Sequence, residues 1–526
     1  MSWKKCLLVF VVLVFAFTTS GTAIVTAEQA GAQAKYVFVF IGDGMGVAQR
    51  NAAELYLAKE KGLGRPEGAR LVMNSLPAQG MNTTYDLTSV IPDSASTATA
   101  MSCGYKTRSA VVGMDSEAKV SYENIAETAK KNQWKVGILS TVSLDHATPA
   151  AFFAHVRHRK EMYEISLQLA NSGFDYFAGG QMMEPIDAKD PSKPNAIELA
   201  KKNGYTVAMG RAGFEALKPG SGKVIAMNAT VDKDAAMYYT LDQGNNKDHV
   251  TLAEFVGKGI ELLDNPKGFF FMVEGGKIDW ACHANDAASS VHDTLALDEA
   301  IARAIKFFEK HPRETLILVT GDHETGGMTI GFAGTQYSSF VDKIQHQKMS
   351  YIEFNKELEA YKKTHTVSDA KLEDLFPLIK EAFGLYVMPA EEKASLEKAV
   401  SDGKASDASE AAKKAAKEAE QKLKFGMALS DLELKVLQDA LKQSMLGKKE
   451  RGQDDHAYLL YGGYEPLSVK LTTILNNKAG IGWTSYSHTG VPVQTSALGV
   501  GAEMFNGYYD QTDIYTKMMK ITGLKR

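Results

Sequence analysis

The sequence predicts an α/β protein, a three-layer α/β/α sandwich with a mainly parallel central sheet and a helical insertion or cap before the last segment of that sheet. Two patterns indicate this fold. Strand-like apolar runs alternate with helical patterns, and polar residues that could bind metal follow three of those runs. The chain has 526 residues, of which 44% are hydrophobic and 23% are charged. That balance suits one large α/β domain with insertions, or two domains.

The apolar runs set the order of the predicted elements. Residues 36–41 are predicted to form a buried strand that ends in the glycine-rich turn 42–46, which suits close approach of the backbone. Further strands are predicted at 136–139, 269–273 and 315–320. Each of these three follows a helical stripe, formed by Tyr122, Ile125, Ala126 and Ala129, by Leu252, Phe255, Val256, Ile260 and Leu263, or by Leu297, Ile301, Ala304 and Phe308. Helices between parallel strands pack on both faces of the sheet.

The alternation breaks between about residues 335 and 480. Residues 390–424 are rich in alanine, lysine and glutamate, which is typical of solvated helices with little power to form a core. We interpret the stretch as a helical insertion or cap within a catalytic domain of residues 28–526. It could shape the entrance to a site, although a solvated surface element explains the composition without that role.

Residues 1–27 have the pattern of a secretory signal peptide. Lys4 and Lys5 precede an unbroken apolar run over residues 7–17, and residues 25–27 offer a small-residue cleavage site. An N-terminal anchor helix is the alternative, but the run is short against the roughly 20 apolar residues of a membrane span. The sequence therefore predicts an exported protein, periplasmic or secreted, with no membrane span after cleavage.

Charge and cysteine content restrict the class further. The net charge is −4, and removal of Lys4 and Lys5 with the signal peptide leaves −6, so nothing indicates nucleic-acid binding. Only Cys103 and Cys282 follow the predicted cleavage site. A disulfide could join them, but an exported chain of this size does not need one, and two buried thiols are the favoured interpretation. Because Cys282 lies beside His283, a thiolate ligand is a further alternative.

Seven candidate metal ligands lie in four short segments, three of which follow strand-like runs. Side chains released where parallel strands end can converge on one crevice. Carboxylates and imidazoles together are the ligands of multinuclear hydrolase sites. The candidates are Asp43, then Glu274, Asp279 and His283, then Asp322 and His323, and finally His488.

Ser94 and Arg159 could act on a substrate held at such a site. Ser94 precedes small residues that can start a tightly packed helix, whose free N–H groups stabilise an anion. Alone, Ser94 is typical of an N-cap. Beside metals it becomes a candidate nucleophile, because a metal lowers the pKa of a hydroxyl. Arg159 could bind two phosphate oxygens with its planar guanidinium, whereas Arg157 and Lys160 suit a solvated patch.

Taken in order, these pieces resemble the alkaline phosphatases. The resemblance runs from residue 36 to about 333 and again from about 482 to 514. Each piece is a weak signal by itself, but the ordered set is specific. The pieces are 41–46 (IGDGMG), 93–95 (DSA), 147–150 (ATPA), Arg159, 273–275 (VEG), 278–279 (ID), His283, 322–323 (DH), 488–490 (HTG), 505–507 (FNG) and 510–514 (DQTDI).

The resemblance implies a hydrolase of phosphate monoesters. Ser94 would be the nucleophile that becomes phosphorylated, and Arg159 would orient the phosphate. One zinc ion would be held by Asp279, His283 and His488, and a second by Asp43, Asp322 and His323. A third ion, usually magnesium, would be held by Asp43, Thr148 and Glu274. The family is often dimeric, so a homodimer is also an expectation.

Two positions depart from the best-known bacterial pattern of the family. His146 stands where that pattern has an aspartate near the third metal. Trp280 stands where it has a lysine that contacts phosphate through water. Other members carry histidine or tryptophan at such positions, so the resemblance holds. We expect weaker binding of the phosphate product, and faster release.

Other enzymes of the same superfamily are the first alternative: a sulfatase, a phosphodiesterase or a phosphoglycerate mutase. Sulfatases carry Cys or Ser followed by x-Pro-x-Arg, which residues 94–98 lack. The diesterases usually have a threonine nucleophile and no clamping arginine, so Ser94 with Arg159 favours monoesters and leaves a side activity on diesters open. The second alternative is an exported metal- or phosphate-binding protein without turnover, to which a nucleophile would be surplus.

Overall fold

This computed structural model describes residues 33–63, 68–244, 246–448, 450–452 and 454–526, so the predicted signal peptide lies outside the described residues. The strands are β1 (Tyr36–Gly42), β2 (Ala78–Thr83), β3 (Lys135–Ser140), β4 (Tyr176–Gly179), β5 (Tyr205–Met209), β6 (Lys223–Met227), β7 (Phe269–Gly275), β8 (Thr315–Gly321), β9 (Glu324–Thr325), β10 (Thr329–Ile330), β11 (Ile481–Gly482), β12 (His488–Thr489), β13 (Val493–Gly499) and β14 (Gly507–Asp510).

The helices surround these strands. They are α1 (Val47–Glu60), α2 (Ser94–Cys103), α3 (Ile125–Lys131), α4 (Ala147–Ala150), α5 (Met162–Asn171), α6 (Ala196–Lys202), α7 (Gly210–Glu215), α8 (Thr240–Gln243), α9 (Leu252–Leu263), α10 (Lys277–His283), α11 (Ala287–Phe308), α12 (Tyr351–Lys362), α13 (Phe376–Phe383), α14 (Ala390–Gly403), α15 (Glu410–Phe425), α16 (Asp431–Met445), α17 (Asp455–Tyr461), α18 (Pro466–Ala479) and α19 (Thr512–Thr522). Within the described ranges, no helix has both the length and the apolar character of a membrane span.

The central sheet has ten strands among the described residues, in the order β14–β2–β13–β8–β1–β7–β3–β4–β6–β5. Its pairings are parallel except for those of β13, which runs antiparallel to both β2 and β8. Two short antiparallel pairs, β10–β11 and β9–β12, lie outside it. The prediction of a mainly parallel sheet is confirmed.

The sheet is covered on both faces. All seven residues of β1 are buried, and successive side chains alternate between the faces. Phe38 and Phe40 belong to a core that includes residues of α1, α9 and α11. Val37 and Val39 belong to a second core, with residues of α2, α3, α5 and α19. The three-layer prediction therefore holds, because a strand with two apolar faces must be covered on both.

Strands β1, β7 and β8 end at the same level. Gly42 pairs with Gly275 on one side and with Gly321 on the other. The residues at these strand ends therefore share one edge of the sheet. This register is the feature of the fold that positions the site.

The four strands predicted with bounds are present, and β13 lies in the last sheet segment predicted after the insertion, but the other five strands of the sheet were not predicted. The missed strands β4, β5 and β6 have four or five residues, and β2 and β14 interleave apolar with polar or glycine residues. Short runs of this kind carry little periodicity. Helix α3 begins later than its predicted stripe, because the Asn124 side chain accepts a hydrogen bond from the Glu127 N–H and caps it there, which leaves Tyr122 outside.

Residues between β10 and β11 are mainly helical and have a core of their own. Phe354, Leu437 and Leu471 belong to it. Helices α14 and α15 contribute little to it: α14 has no buried residue, and α15 buries Ala416 and Ala419. That exposure matches the solvated composition of residues 390–424. The division of the chain into one domain with an insertion at about 335–480 stays a prediction.

Candidate active site

Six of the seven candidate ligands lie at the shared edge of β1, β7 and β8 or just beyond it. Asp43 follows β1, Glu274 is the penultimate residue of β7, and Asp322 follows β8. Helix α10, which follows β7, carries Asp279 and His283 four residues apart on one helical face. His323 is next to Asp322, and the remaining candidate, His488, is brought in by the pairing of β12 with β9.

The ligand atoms form three overlapping groups, each with its atoms within 4.8 Å of one another. The groups are Asp279 with His323 and His488, Asp43 with Asp322 and His323, and Asp43 with His146 and Glu274. His283 adjoins the first group, with its Nε2 3.1 Å from His488 Nε2 and 3.4 Å from Asp279 Oδ2. Thr148 adjoins the third, with its Oγ1 3.5 Å from Asp43 Oδ2. Asp43 and His323 are each shared between two groups.

His283 and His488, the two partly buried histidines of the site, are oriented so that the Nε2 atom of each faces the other ligand atoms. His283 Nδ1 lies 2.7 Å from the carbonyl oxygen of Tyr486, and His488 Nδ1 lies 2.7 Å from that of Pro92. Because a carbonyl only accepts, each Nδ1 carries the proton and each neutral Nε2 presents a lone pair. Two lone pairs that face each other at 3.1 Å require a proton or a metal ion between the groups.

The pKa of His283 shows that the site favours a positive charge at this imidazole. Burial lowers this pKa, but the charge and hydrogen bond of Asp279 outweigh burial and raise it to about 9. Burial would likewise raise the pKa of Asp279, yet His283 and then His488 hold it well below its usual range. The position between His283 and Asp279 therefore favours a positive charge, which a proton or a metal ion can supply.

The carboxylates carry more negative charge than the protein compensates. Burial, followed by the charge of Asp322, raises the pKa of Asp43 well above its usual range. Burial also raises the pKa of Glu274 to about 8 and, together with Asp279, that of Asp322 to about 7. Asp43 Oδ1, Glu274 Oε1 and His146 Nδ1 are buried without a hydrogen-bond partner among the described residues. Buried acceptors that repel one another and lack donors fit divalent cations.

Ser94 opens helix α2 directly beside these groups. The cap of that helix is Asp93, whose side chain accepts from the Ser96 N–H at 3.1 Å, so Ser94 is not the N-cap residue. Ser94 is 1% exposed, and its Oγ lies 3.1 Å from His323 Nε2. Because Ser94 does not cap the helix, its hydroxyl is available for chemistry at the positive end of α2.

Arg159 lies next to the cap of α2. Its Nη1 is 3.0 Å from Asp93 Oδ2 and its Nη2 is 3.0 Å from His146 Nε2. Burial would raise the pKa of Asp93, but Arg159 and the N–H groups of Ala110 and Ser96 outweigh burial and lower it. Arg157 and Lys160 are exposed, as expected of a solvated patch.

Trp280 follows Asp279 on α10 and lies against His146. The two ring centroids are 5.9 Å apart, and the rings meet edge to face at 78°. Burial, followed by Arg159, lowers the pKa of His146 to about 3, so the imidazole is neutral and can accept from Arg159. The two residues that depart from the best-known pattern are thus in contact with each other.

Two hydroxyls that hold the ligands were missed by the sequence reasoning. Ser140, the last residue of β3, donates to Glu274 Oε2. Thr325 Oγ1 donates to Asp279 Oδ1 at 2.5 Å and lies 3.3 Å from His323 Nδ1. Ser140 could have been found by the same signal that identified Asp43, because each is a polar residue at the end of a strand-like run. Thr325 had no such signal. Cys103 and Cys282 are both free and buried.

Gly44 makes the turn between β1 and the site. Its φ is +70°, its N–H donates to Asp322 Oδ1 at 3.2 Å, and a Cβ there would lie 2.8 Å from the Cα of Asp279. We expect Gly44→Ala to displace α10 and to reduce the amount of divalent metal that the protein retains after dialysis. Gly62→Ala is the matched control, because Gly62 has the same φ of +70° but its Cβ would meet no described atom within 4 Å.

In the control we expect only the left-handed backbone penalty, about 1–2 kcal/mol in the free energy of unfolding, with metal content unchanged. Urea unfolding and metal analysis of both variants check this. Equal metal content in the two variants would mean that the close approach at Gly44 does not hold the site together.

The family model described as alkaline phosphatase matches residues 34–190 and 187–428. The chain is 28% identical over 498 residues to alkaline phosphatase 3 of Bacillus subtilis strain 168, covering 92% of this chain and 88% of that protein. It is 31% identical over 338 residues to the alkaline phosphatase of Escherichia coli strain K12, covering 55% of this chain and 70% of the other. The crystal structure of a cold-active alkaline phosphatase from a psychrophilic Shewanella sp. superposes with a TM-score of 0.66 at 26% identity, covering 93% of this chain and 99% of that one.

Proposed function

Because the chain belongs to the alkaline phosphatase family, we propose that it hydrolyses phosphate monoesters through a phosphoserine intermediate on Ser94 and releases inorganic phosphate and an alcohol. The observation that supports this most directly is the placement of Ser94 Oγ, which lies 3.1 Å from His323 Nε2 beside the candidate ligand groups. A metal- or phosphate-binding protein without turnover would not need a buried serine at this position whose hydroxyl does not cap the helix.

The proposed cofactors are two zinc ions and one magnesium ion. Asp279, His283 and His488 would hold one zinc ion, and Asp43, Asp322 and His323 the other, with the mixed nitrogen and oxygen donors that zinc accepts. The oxygen donors of Asp43, Thr148 and Glu274 suit magnesium. When bound, the ions would stabilise negative charge as Lewis acids and lower the pKa of oxygens in contact with them.

The chain's own groups do the positioning. Ser94 would attack phosphorus in line with the departing alcohol, and water would then hydrolyse the phosphoserine, so that two inversions give net retention. The transferring phosphoryl group carries spread negative charge, and electrostatics and orientation supply most of the catalysis. The Arg159 guanidinium would bind phosphate oxygens, and the free N–H groups at the start of α2 would add to that stabilisation.

The test is hydrolysis of p-nitrophenyl phosphate by residues 28–526 across pH 7–10, before and after EDTA. We expect activity to be lost on chelation and recovered when both Zn²⁺ and Mg²⁺ are restored. Bis-p-nitrophenyl phosphate and p-nitrophenyl sulfate are assayed in parallel. If the metal-replete protein did not hydrolyse the monoester, the proposal would be contradicted. Hydrolysis of the diester instead would favour the phosphodiesterase alternative.

Trp280 gives a prediction about the product. A lysine in its place would bring a cation toward the phosphate site, so we expect Trp280→Lys to bind phosphate about 5-fold more tightly, as a close charge pair of about 1 kcal/mol implies. The inhibition constant of inorganic phosphate measures this. Trp280→Phe, which keeps an aromatic ring and adds no charge, is the control. Unchanged or weaker phosphate inhibition in Trp280→Lys would contradict the idea that Trp280 weakens product binding.

Export is proposed on the pattern of residues 1–27 alone. Small phosphate monoesters are the proposed substrates, and a homodimer stays a prediction from the family resemblance. N-terminal sequencing of the protein recovered outside the cytoplasm would test the cleavage after residue 27.

A further inference from the structure

A buried ion pair joins Lys277, at the start of helix α10, to Asp232. Lys277 Nζ is 2.6 Å from Asp232 Oδ2, with the two side chains only 1% and 3% exposed. The other oxygen of Asp232 accepts from the backbone N–H groups of Asp234 and Ala236, at 3.0 and 2.9 Å. The carboxylate is therefore fully paired, which is what allows such a pair to offset the cost of removing both charges from water.

Lys277 also faces two aromatic rings. Its Nζ lies 3.9 Å from the ring centroid of Tyr239 and 4.9 Å from that of Trp280. Both distances are within the range of a cation–π interaction, which is strengthened when the cation is desolvated. Lys277 is the first residue of α10, the helix that also carries Trp280. The ammonium group therefore holds the indole as well as Asp232.

From Trp280 the contacts continue to the group proposed to bind phosphate. The indole meets His146 edge to face, with ring centroids 5.9 Å apart. His146 Nε2 accepts from Arg159 Nη2 at 3.0 Å. Two contacts therefore hold the guanidinium, this hydrogen bond and the ion pair of Arg159 Nη1 with Asp93 Oδ2 at 3.0 Å, and the first of them comes from an imidazole that packs against Trp280.

We propose that Lys277 is a positioning residue for phosphate binding: paired with Asp232, it fixes Trp280, and Trp280 through His146 sets the place of the Arg159 guanidinium. This rests on the proposed function, which gives Arg159 its role. A buried ion pair is weak evidence for stability alone, and Lys277 of this pair contacts Trp280, the side chain of α10 that packs against His146. The positioning chain is thus Asp232, Lys277, Trp280, His146 and Arg159.

The test is a double-mutant cycle on the metal-replete enzyme, with the inhibition constant of inorganic phosphate as the readout. We expect Lys277→Met to weaken phosphate inhibition about 5-fold in the wild-type background, an effect in the lower part of the range for cation–π contacts because Lys277 acts on phosphate only through other residues. In a Trp280→Leu background the same change should alter the constant less than about 2-fold, because coupled residues are not additive. Equal effects in both backgrounds, or none in either, would overturn the proposal.

Three further variants separate positioning from stability. Lys277→Arg keeps the charge and should restore phosphate inhibition toward the wild-type value. Asp232→Asn keeps the shape of the partner, and it replaces Lys277→Met in the cycle if that variant does not fold. Lys478→Met is the matched control, because it breaks a largely buried pair with Glu433 at 3.1 Å on α18 and should leave phosphate inhibition unchanged.

Turnover of p-nitrophenyl phosphate by the unmutated enzyme is measured in the same series. Normal turnover combined with additive effects in the cycle would overturn the positioning role and leave the proposed function intact. A lack of any turnover would instead overturn the proposed function, and the positioning role with it.

Discussion

Replacement of Ser94 by alanine is expected to reduce turnover of p-nitrophenyl phosphate by at least about 10³-fold, the scale of losing a nucleophile, while zinc content stays at the wild-type level. The hydroxyl is the atom proposed to attack phosphorus, and it is buried at the site, 3.1 Å from His323 Nε2. Helix α2 should remain intact, because its cap is Asp93 and alanine is a good helix former. The measurement is kcat together with metal analysis.

Ser102→Ala is the matched control for Ser94→Ala. Ser102 is a buried serine of the same helix, and its Oγ contacts the carbonyl of Thr99 rather than any candidate ligand. We expect its turnover to stay within about 2-fold of the unmutated enzyme, as for a substitution that leaves the reacting groups in place. Full activity in Ser94→Ala would rule out a phosphoserine on Ser94. Retained phosphate and metal binding without turnover would be the expected signature of the missing nucleophile.

Asp43→Asn is expected to have the second large effect, a loss of metal together with a loss of activity of about 10³-fold, since the proposed chemistry depends on the metal pair. Asp43 is fully buried and belongs to two of the three ligand groups. The substitution keeps the shape of the side chain and removes its charge, so both groups lose a negative ligand. Metal ions per chain after dialysis, measured by mass spectrometry, check the first effect.

Asp145→Asn controls for the loss of any buried carboxylate. Asp145 is also fully buried and precedes His146 in the chain, but its carboxylate accepts from Ser166 Oγ and from the N–H groups of Met183 and Glu184 and belongs to none of the three ligand groups. We expect it to lower the free energy of unfolding by about 1–3 kcal/mol without loss of metal. If Asp43→Asn kept the full metal content, Asp43 would not be a shared ligand.

Much of the scaffold followed from local patterns. The strands that matter most for the site, β1, β7 and β8, were predicted because each is an unbroken apolar run, buried on both faces. Polar residues placed directly at the ends of such runs, such as Asp43 and Asp322, could then be assigned to one edge of a parallel sheet. The register of Gly42 with Gly275 and Gly321 agrees with that reasoning.

The rest depended on contacts between distant parts of the chain. No spacing rule brings His283 Nε2 within 3.1 Å of His488 Nε2, 205 positions away. The sequence named both as candidates for one site, but only the family resemblance assigned them to the same ion. The cap of α2 was not predicted either: the sequence offered Ser94 as a possible N-cap, and the adjacent Asp93, also a good N-cap residue, was not considered. The structure selects Asp93, because Arg159 and the Ala110 N–H hold its carboxylate in the capping position.

The sequence by itself determined the fold class, the principal strands, the edge of the sheet where the ligands gather and the family. These depend on periodicity and on residue order, which are local properties of the chain. Only the tertiary structure decided that Asp93 caps α2, that His146 accepts from Arg159, and that Lys277 pairs with Asp232 behind Trp280. Such pairings follow from the need to give every buried charge a partner, and which partner lies within reach is set by packing rather than by sequence order.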